Sequence, residues 1–380
     1  MMHIQILGTR GIPSRHGGFE TFAHDLALFL TERGHRVTVY CQMAPDEKRG
    51  EDIWNGVRRI LIPADWGALG TVIFDWKSSL HALREEGLAL TLGYNTAIFS
   101  LLFRLARHGN IMNMDGIEWK RQKWSKAARL WLRMNEWFGA KLADHLIADH
   151  PMIAAHLKAH TRPSKISMIP YGSEGVETPD ESVLERYGLA SKSFYLVIAR
   201  PEPDNSILEI VSAYSNHPRR MPLVVLGNYM PGDTYHASVL REGGPGVRFL
   251  GPVYDRGAVA ALRLHATAYV HGHQVGGTNP SLVESLAAGN PIIAHDNIFT
   301  RWVIGDPGMY FADQGALDKI FAALDEDQSS LPARGQASKI RYEEKFSQMS
   351  VLLQYESLLN RFSREPELHS EGRPRAGQGI

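Results

Sequence analysis

The 380-residue sequence contains a single cysteine, Cys41. One thiol excludes an internal disulfide and fits a reducing compartment. Charge excess is also missing, since Lys+Arg and Asp+Glu are both 41. That balance argues against a dedicated nucleic-acid binder, which carries a basic surplus. No apolar run approaches the roughly 20 residues of a membrane-spanning helix. The opening "MMHIQILGTRG" has no cationic leader ahead of a long apolar stretch, so a secretory signal is not expected. These absences lead to the expectation of a cytoplasmic protein, or one that lies on a membrane without crossing it.

Several chemistries lack their residues as well. The seventeen histidines show no His-Glu-x-x-His or Cys/His ligand spacing, and His271 and His273 alone do not make a metal site. No G-x-S-x-G elbow supports a hydrolase triad. There is no G-x-x-x-x-G-K-[ST], and "GTRGIP" does not satisfy G-x-G-x-x-G, so a nucleoside triphosphatase or a dinucleotide enzyme has poor support.

What is present is alternation. "IQIL" (4–7) is an apolar run followed by a glycine-punctuated loop. Phe22, Leu26, Phe29 and Leu30 then fall on one helical face, Gly34 closes that helix, and "RVTVY" (36–40) reads as the next strand. "RRILIP", "LALTLGY", "NIMNMDG" and "HLIADH" continue as strands between helical segments. A second series is expected from "KISMIPYGSE" (165–174) onward, through "FYLVIAR", "PLVVLGN", "VRFLGPV", "TAYVHGH" and "NPIIAHD". Two successive series of this kind predict an α/β protein with two doubly wound domains facing a cleft, with ligand beyond the carboxyl ends of the strands. The expected division is 1–174, 175–345, a terminal helix over 346–362 able to pack back on the first domain, and a disordered polar tail over 363–380.

Within this frame, "GGTNPSLVE" (276–284) reads as a helix start with little side-chain cover. Asn279 suits the N-cap and Pro280 the first helical position. The N–H groups near Ser281 and Leu282 are expected to face an anion such as a phosphate, with Glu284 one turn further in. Glu284 can equally be read as a complement to the helix dipole. Arg200 closes the run "FYLVIA" and is either a partner for a diphosphate or an ordinary loop arginine. Gly17 and Gly18 stand at the entry to the first helix. Asp115-Gly116 ends another apolar run, either as a plain turn or as a catalytic strand end. The segment 119–133 interleaves Trp119, Trp124 and Trp131 with six Lys/Arg and carries no acid. It suits an anionic membrane surface, or a solvated helix with its tryptophans in the core.

Taken together, "ILGTRGIPSRHGGFETFAHDLA", "NMDGIEWKRQKWS", "IPYGSE", "IARPEPDN" and "HGHQVGGTNPSLVESLAAGNPIIAHD" resemble the retaining glycosyltransferases of the family-4 type, nearest the bacterial rhamnosyltransferase-like subgroup of capsule and exopolysaccharide synthesis. The resemblance implies a GT-B fold of two Rossmann-like domains. It implies sugar transfer with retention from a dTDP-, UDP- or GDP-sugar to a saccharide acceptor, lipid-linked in the first instance, with no cofactor and no metal. By the same resemblance Asp115, Arg200 and Glu284 are the catalytic-site residues. The donor would be held by Gly17, Gly18, Arg200, Gly277, Thr278, Asn279, Ser281, Leu282 and Glu284. Two positions depart from the pattern: Gly276 stands where the family has the first Glu of E-x7-E, and Asn205 stands near the place of its diphosphate lysine. The first departure points to a deoxy-sugar donor. A sugar-nucleotide epimerase and a non-catalytic nucleotide-sugar or glycan binder are the competing readings.

Overall fold

The computed structural model describes residues 1–14, 18–47, 49–121, 123–175 and 182–363. The first apolar run forms β1 (His3–Leu7), in which Ile4, Gln5, Ile6 and Leu7 are all buried. Burial of consecutive residues means both faces of the strand are covered, as in a parallel sheet between helical layers. Helix α1 (Gly18–Glu32) supplies one cover by burying Phe22, Ala23, Leu26, Ala27, Phe29 and Leu30. Strand β2 (Arg36–Met43) returns parallel to β1.

Next comes an antiparallel hairpin, β3 (Gly50–Trp54) and β4 (Val57–Pro63). Its turn is Asn55-Gly56, with φ of 47° and 80°. Two positive φ angles match the twist of a hairpin, and Asn-Gly adopts them at small cost. The sheet continues through α2 (Ala68–Ala82), β5 (Leu88–Leu92), α3 (Ser100–Ala106), β6 (Asn110–Asn113), α4 (Lys126–Leu142), β7 (His145–Ala148), α5 (Pro151–Leu157) and β8 (Ile166–Met168). The strand order is β3-β4-β2-β1-β5-β6-β7-β8.

The position of β8 corrects one expectation. The run from Lys165 does not open the second series; β8 pairs in parallel with β7, Leu146 against Ile166. Local pattern identifies a strand but not the sheet it joins, and the short α5 crossover returns the chain to the same edge.

The second sheet follows α6 (Ser182–Arg186). Its elements are β9 (Tyr195–Ile198), α7 (Ile207–Ser215), β10 (Leu223–Leu226), α8 (Thr234–Glu242), β11 (Val247–Gly251), α9 (Arg256–His265), β12 (Ala268–His271), α10 (Pro280–Ala287), β13 (Ile292–His295), α11 (Ile298–Ile304) and β14 (Met309–Phe311). All pairings are parallel, in the order β11-β10-β9-β12-β13-β14.

Helices α12 (Gln314–Glu326) and α13 (Leu331–Lys345) cover this sheet, and α14 (Gln348–Ser363) crosses back to the first. Val351, Leu352, Tyr355, Leu358 and Leu359 of α14 sit in the core built by α1 and β1. The Tyr355 ring lies 4.7 Å from that of Phe22. Glu356 accepts from Arg33 at 2.7 Å and pairs with His35 at 3.0 Å. The tail beyond Ser363 lies outside the described residues, as does the expectation of disorder placed on it.

Candidate functional site

The carboxyl ends of both sheets face one another, and the loops beyond them meet around an open pocket. The first domain contributes Asp115, Arg121 and Asp149, from the ends of β6 and β7. The second contributes His271, His273 and the loop from Val275 into α10.

The approach of the two domains is made by glycines. A Cβ on Gly116 would lie 3.5 Å from the Gly276 and Gly277 backbone. One on Gly18, at the start of α1, would meet the Pro280 ring at 3.2 Å. Gly18 and the start of α10 are therefore brought together. Gly17 lies outside the described residues.

The start of α10 is not bare, contrary to its appearance in the sequence. The Asn279 side chain accepts the Ser281 N–H at 3.0 Å, as an N-cap does. The Leu282 N–H donates to the Asn279 carbonyl at 3.1 Å. The Thr278 N–H donates to Asp149 Oδ2 at 2.8 Å, and the Thr278 hydroxyl donates to the Asp149 carbonyl. Three N–H donors at the expected anion seat are engaged, one of them by a carboxylate from the other domain.

Asp149 was missed in the sequence, although its place directly after the apolar run "HLIA" mirrors that of Asp115 after "NIMN". Its Oδ1 is shielded from solvent and has no hydrogen-bond partner. Burial raises its pKa to about 7, with the Asp115 charge adding to the rise and the Thr278 N–H opposing it. Burial likewise raises Asp115 to about 6, helped by Glu118 and opposed by the Gly116 N–H, Arg121 and Lys123. Two carboxyl groups in one cleft disfavour each other's ionisation.

Asp115 occupies the left-handed region, φ 51°, and its N–H donates to Asn113 Oδ1 at 2.9 Å. Asn113 Nδ2 donates in turn to the Tyr355 hydroxyl at 2.7 Å, so α14 braces the Asp115 loop. The Asp-Gly is more than an exposed turn, because its geometry is fixed from behind.

Arg200 lies two residues past β9 with its side chain 68% exposed and a 3.5 Å pairing to Glu202. Glu202 also faces Lys123 of the first domain at 3.8 Å, closing a charged bridge over the cleft. Asn205 is buried, and its amide donates to the Arg200 carbonyl at 2.8 Å. It therefore shapes the Arg200 loop and presents no charge.

Glu284 is paired with Arg263 of α9, whose side chain is 9% exposed. Arg263 also donates to Ser281 Oγ at 3.1 Å, and Ser281 meets the Tyr269 hydroxyl at 2.8 Å. Nothing in the sequence marks Arg263, which sits on an ordinary amphipathic helix.

His271 and His273 stack at 4.3 Å in the pocket wall, and both Nδ1 atoms are buried without partners. Burial lowers His271 to about 3 and holds His273 well below its ordinary value, so both rings are neutral hydrogen-bonding groups. Among the described residues one group has metal-like spacing, Glu136, His156 and His160. None of the three lines the pocket. Glu136 accepts from Trp119 Nε1 and pairs with His156, each at 2.7 Å, which satisfies both its oxygens.

The basic 119–133 segment is not one helix. A 3₁₀ turn, Glu118–Lys120, precedes α4. Trp119 and Trp124 pack against the core beneath them, whereas Trp131 is on the surface.

Known proteins add the following. A family model described as "Domain of unknown function (DUF1972)" matches residues 1–174. No curated protein sequence matches the chain. The sucrose-phosphate synthase of Thermosynechococcus elongatus is similar in structure, with a TM-score of 0.80 and 18% identity over 95% of this chain and 99% of that one. Anabaena HepE in complex with UDP-glucose gives 0.74 and 16%, over 95% and 100%. A trehalose-6-phosphate structure from E. coli bound with UDP-2-fluoro glucose gives 0.69 and 9%, over 94% and 99%. At such identities the likeness is one of architecture, and the architecture of this chain is the GT-B fold.

Proposed function

We propose that the chain is a glycosyltransferase that moves a sugar from a nucleoside diphosphate to an acceptor hydroxyl. The observation that carries this reading is the pocket where Asp115 and Asp149 face the Thr278–Pro280 loop across the domain boundary. Structural neighbours that hold UDP-glucose and UDP-2-fluoro glucose support a sugar-nucleotide donor.

Transfer requires stabilising the charge that develops on the departing diphosphate. The groups offered for this are the N–H groups of the loop before α10, that of Thr278 once Asp149 gives it up, and the guanidinium of Arg200, which is exposed enough to turn toward a ligand. Arg121 adds a cation in the pocket. In this reading Glu284, held by Arg263, contacts the ribose, and Asp115 contacts the reacting sugar or the incoming hydroxyl. The reading extends to retention of configuration, independence of metal and a lipid-linked saccharide acceptor in polysaccharide synthesis. A deoxy-sugar such as rhamnose is the donor sugar favoured by Gly276, beside which a side chain would find open space.

The test is release of nucleoside diphosphate from dTDP-, UDP- and GDP-sugars, with and without saccharide acceptors. Acceptor-dependent release supports transfer. Conversion of donor without acceptor would make the protein an epimerase. Tight donor binding with no turnover across the acceptor panel would make it a binding protein.

A further inference from the structure

Soluble domains seldom leave a contiguous apolar face in water, and such a face marks an interaction site. Helices α2, α3 and α4 lie side by side on the outside of the first domain. On α2, Leu69, Ile73, Trp76 and Leu80 follow each other at helical spacing, and all four are exposed, Leu69 at 73%. On α3 the exposed pair is Leu101 and Leu105, the latter at 74%. On α4 the exposed set is Leu130, Trp131, Met134 and Trp137. Two contacts join the three helices into one surface. Trp76 packs on Phe99 at 5.3 Å, and Trp131 Nε1 donates to the Asn95 carbonyl at 2.9 Å, in the short segment that leads into α3.

The exposed charges carried by the helices themselves have one sign, although Arg104 also meets Asp144, just beyond α4, at 3.6 Å. The three helices carry Lys77, Arg104, Lys126, Arg129, Arg133 and Lys141. Their two carboxylates, Asp75 and Glu136, are both buried. Asp75 accepts from Thr96 at 2.7 Å, and Glu136 is taken by Trp119 and His156. Leucines and tryptophans interleaved with the cations of the same helices match the two layers of an anionic bilayer. Apolar groups and indoles enter the headgroup boundary, and Lys/Arg meet the lipid phosphates. A second protein copy carrying the same cations would meet like charge instead.

We infer that the α2–α3–α4 face is a membrane-docking surface for anionic phospholipid. It keeps the 126–133 part of the 119–133 segment suggested by sequence but not Trp119 and Trp124, which are turned into the protein, and it adds α2 and α3. The face would bring a lipid-linked acceptor toward the cleft, since α4 follows the Asp115 loop in the chain. The assignment itself rests on the surface alone and holds whether or not the protein transfers sugar.

The experiment is flotation of the full-length chain with vesicles, without any nucleotide. One set is phosphatidylcholine and phosphatidylglycerol in equal parts, the other phosphatidylcholine alone. The protein should float with the anionic set, with a blue-shifted tryptophan emission, and stay behind with the neutral set. Leu69→Ser with Leu105→Ser, and separately Lys77→Glu with Lys126→Glu, should each lower partitioning at least about tenfold while leaving the melting temperature in place. Absence of flotation, equal flotation with both sets, or flotation indifferent to both double variants overturns the inference. So does a lipid-free dimer that the serine variants dissociate, which would assign the face to a second copy.

Discussion

Asp149 of the first domain accepts the Thr278 N–H of the second at 2.8 Å. An acidic side chain thus rests on the loop where an anionic donor is proposed to bind, and the two must compete. Asp149→Asn keeps the size of the group and removes its charge. A nucleoside diphosphate should then bind about tenfold tighter than to the native chain, because a like charge leaves the seat. Calorimetric titration decides it; unchanged or weaker binding would show that Asp149 does not oppose the diphosphate.

The same residue predicts a pH dependence. Its pKa is raised to about 7, above the ordinary carboxylate range, so the neutral form is favoured in the folded protein. An acid shifted this way stabilises the fold at low pH, and that contribution is lost as pH rises through the folded value. The melting temperature should therefore fall as pH rises from the ordinary carboxylate range toward about 7, and level off above it. Affinity for a sugar nucleotide, whose diphosphate does not titrate there, should weaken roughly tenfold from about pH 6 to about pH 8. Asp149→Asn should flatten the upper part of both profiles and leave the lower part, near about 6, to Asp115. Identical profiles for the two proteins would assign the titration elsewhere.

Arg263 and Glu284 form a pair in which the arginine is buried and the acid is one-third exposed. Arg263→Ala leaves Glu284 without its holder and removes the guanidinium donor from Ser281. Partial exposure lets water compensate, so the loss of stability should be about 1–2 kcal/mol, below that for a fully buried pair. Donor affinity should drop by roughly the same factor in Arg263→Ala and Glu284→Ala if the arginine acts only by placing the carboxylate, and the double variant should add little. Additive losses would mean that Arg263 reaches the donor itself. Urea unfolding and titration with the nucleotide give the two readings.

Much of the frame was legible because apolar runs of strand length, separated by helical faces, survive as local pattern. β1, α1 and β2 fall where "IQIL", the Phe22–Leu30 face and "RVTVY" place them. Assignment of β8 to the first sheet was not legible, since pairing partners are a property of the whole chain. The β3–β4 hairpin also carries a local signal, the Asn55-Gly56 pair, which stands apart from the βα alternation. At the site, Asn279 and Pro280 could be read as a helix start because capping is local. Arg263 and the engagement of Thr278 could not, because each depends on a residue 18 or more positions away, brought near only by folding; Asp149 left one signal, its place after an apolar run.

Tyr355 links the terminal helix to the site. Its hydroxyl is buried and accepts from Asn113, whose other amide atom holds the Asp115 N–H. Tyr355→Phe keeps the ring against Phe22 but leaves Asn113 Nδ2 with an unmet donor, which should destabilise the fold by about 1–3 kcal/mol. A shift in the urea midpoint without a change in slope is the expected result. Faster hydrogen exchange at the amides of Asp115 and Gly116 should accompany it; unaltered protection there would confine Tyr355 to packing.

Gly276 and Gly277 are neighbours with opposite requirements. A Cβ on Gly276 meets nothing within 4 Å, whereas one on Gly277 would fall 2.1 Å from Asp149 Oδ2. Gly276→Glu should therefore fold with little change in melting temperature, and it adds a carboxylate beside the proposed sugar site. If the missing acid sets the choice of donor, this variant should gain affinity for a fully hydroxylated hexose nucleotide over its deoxy counterpart. Gly277→Ala must instead displace the Asp149 carboxyl and break its bond to Thr278. By the competition argued above, this variant should bind nucleoside diphosphate more tightly while losing stability. Both substitutions add bulk to the same loop, so a generic loop disturbance would move them together. Opposite behaviour in a single set of melting and titration measurements would assign the open space to the donor sugar and the closed one to Asp149.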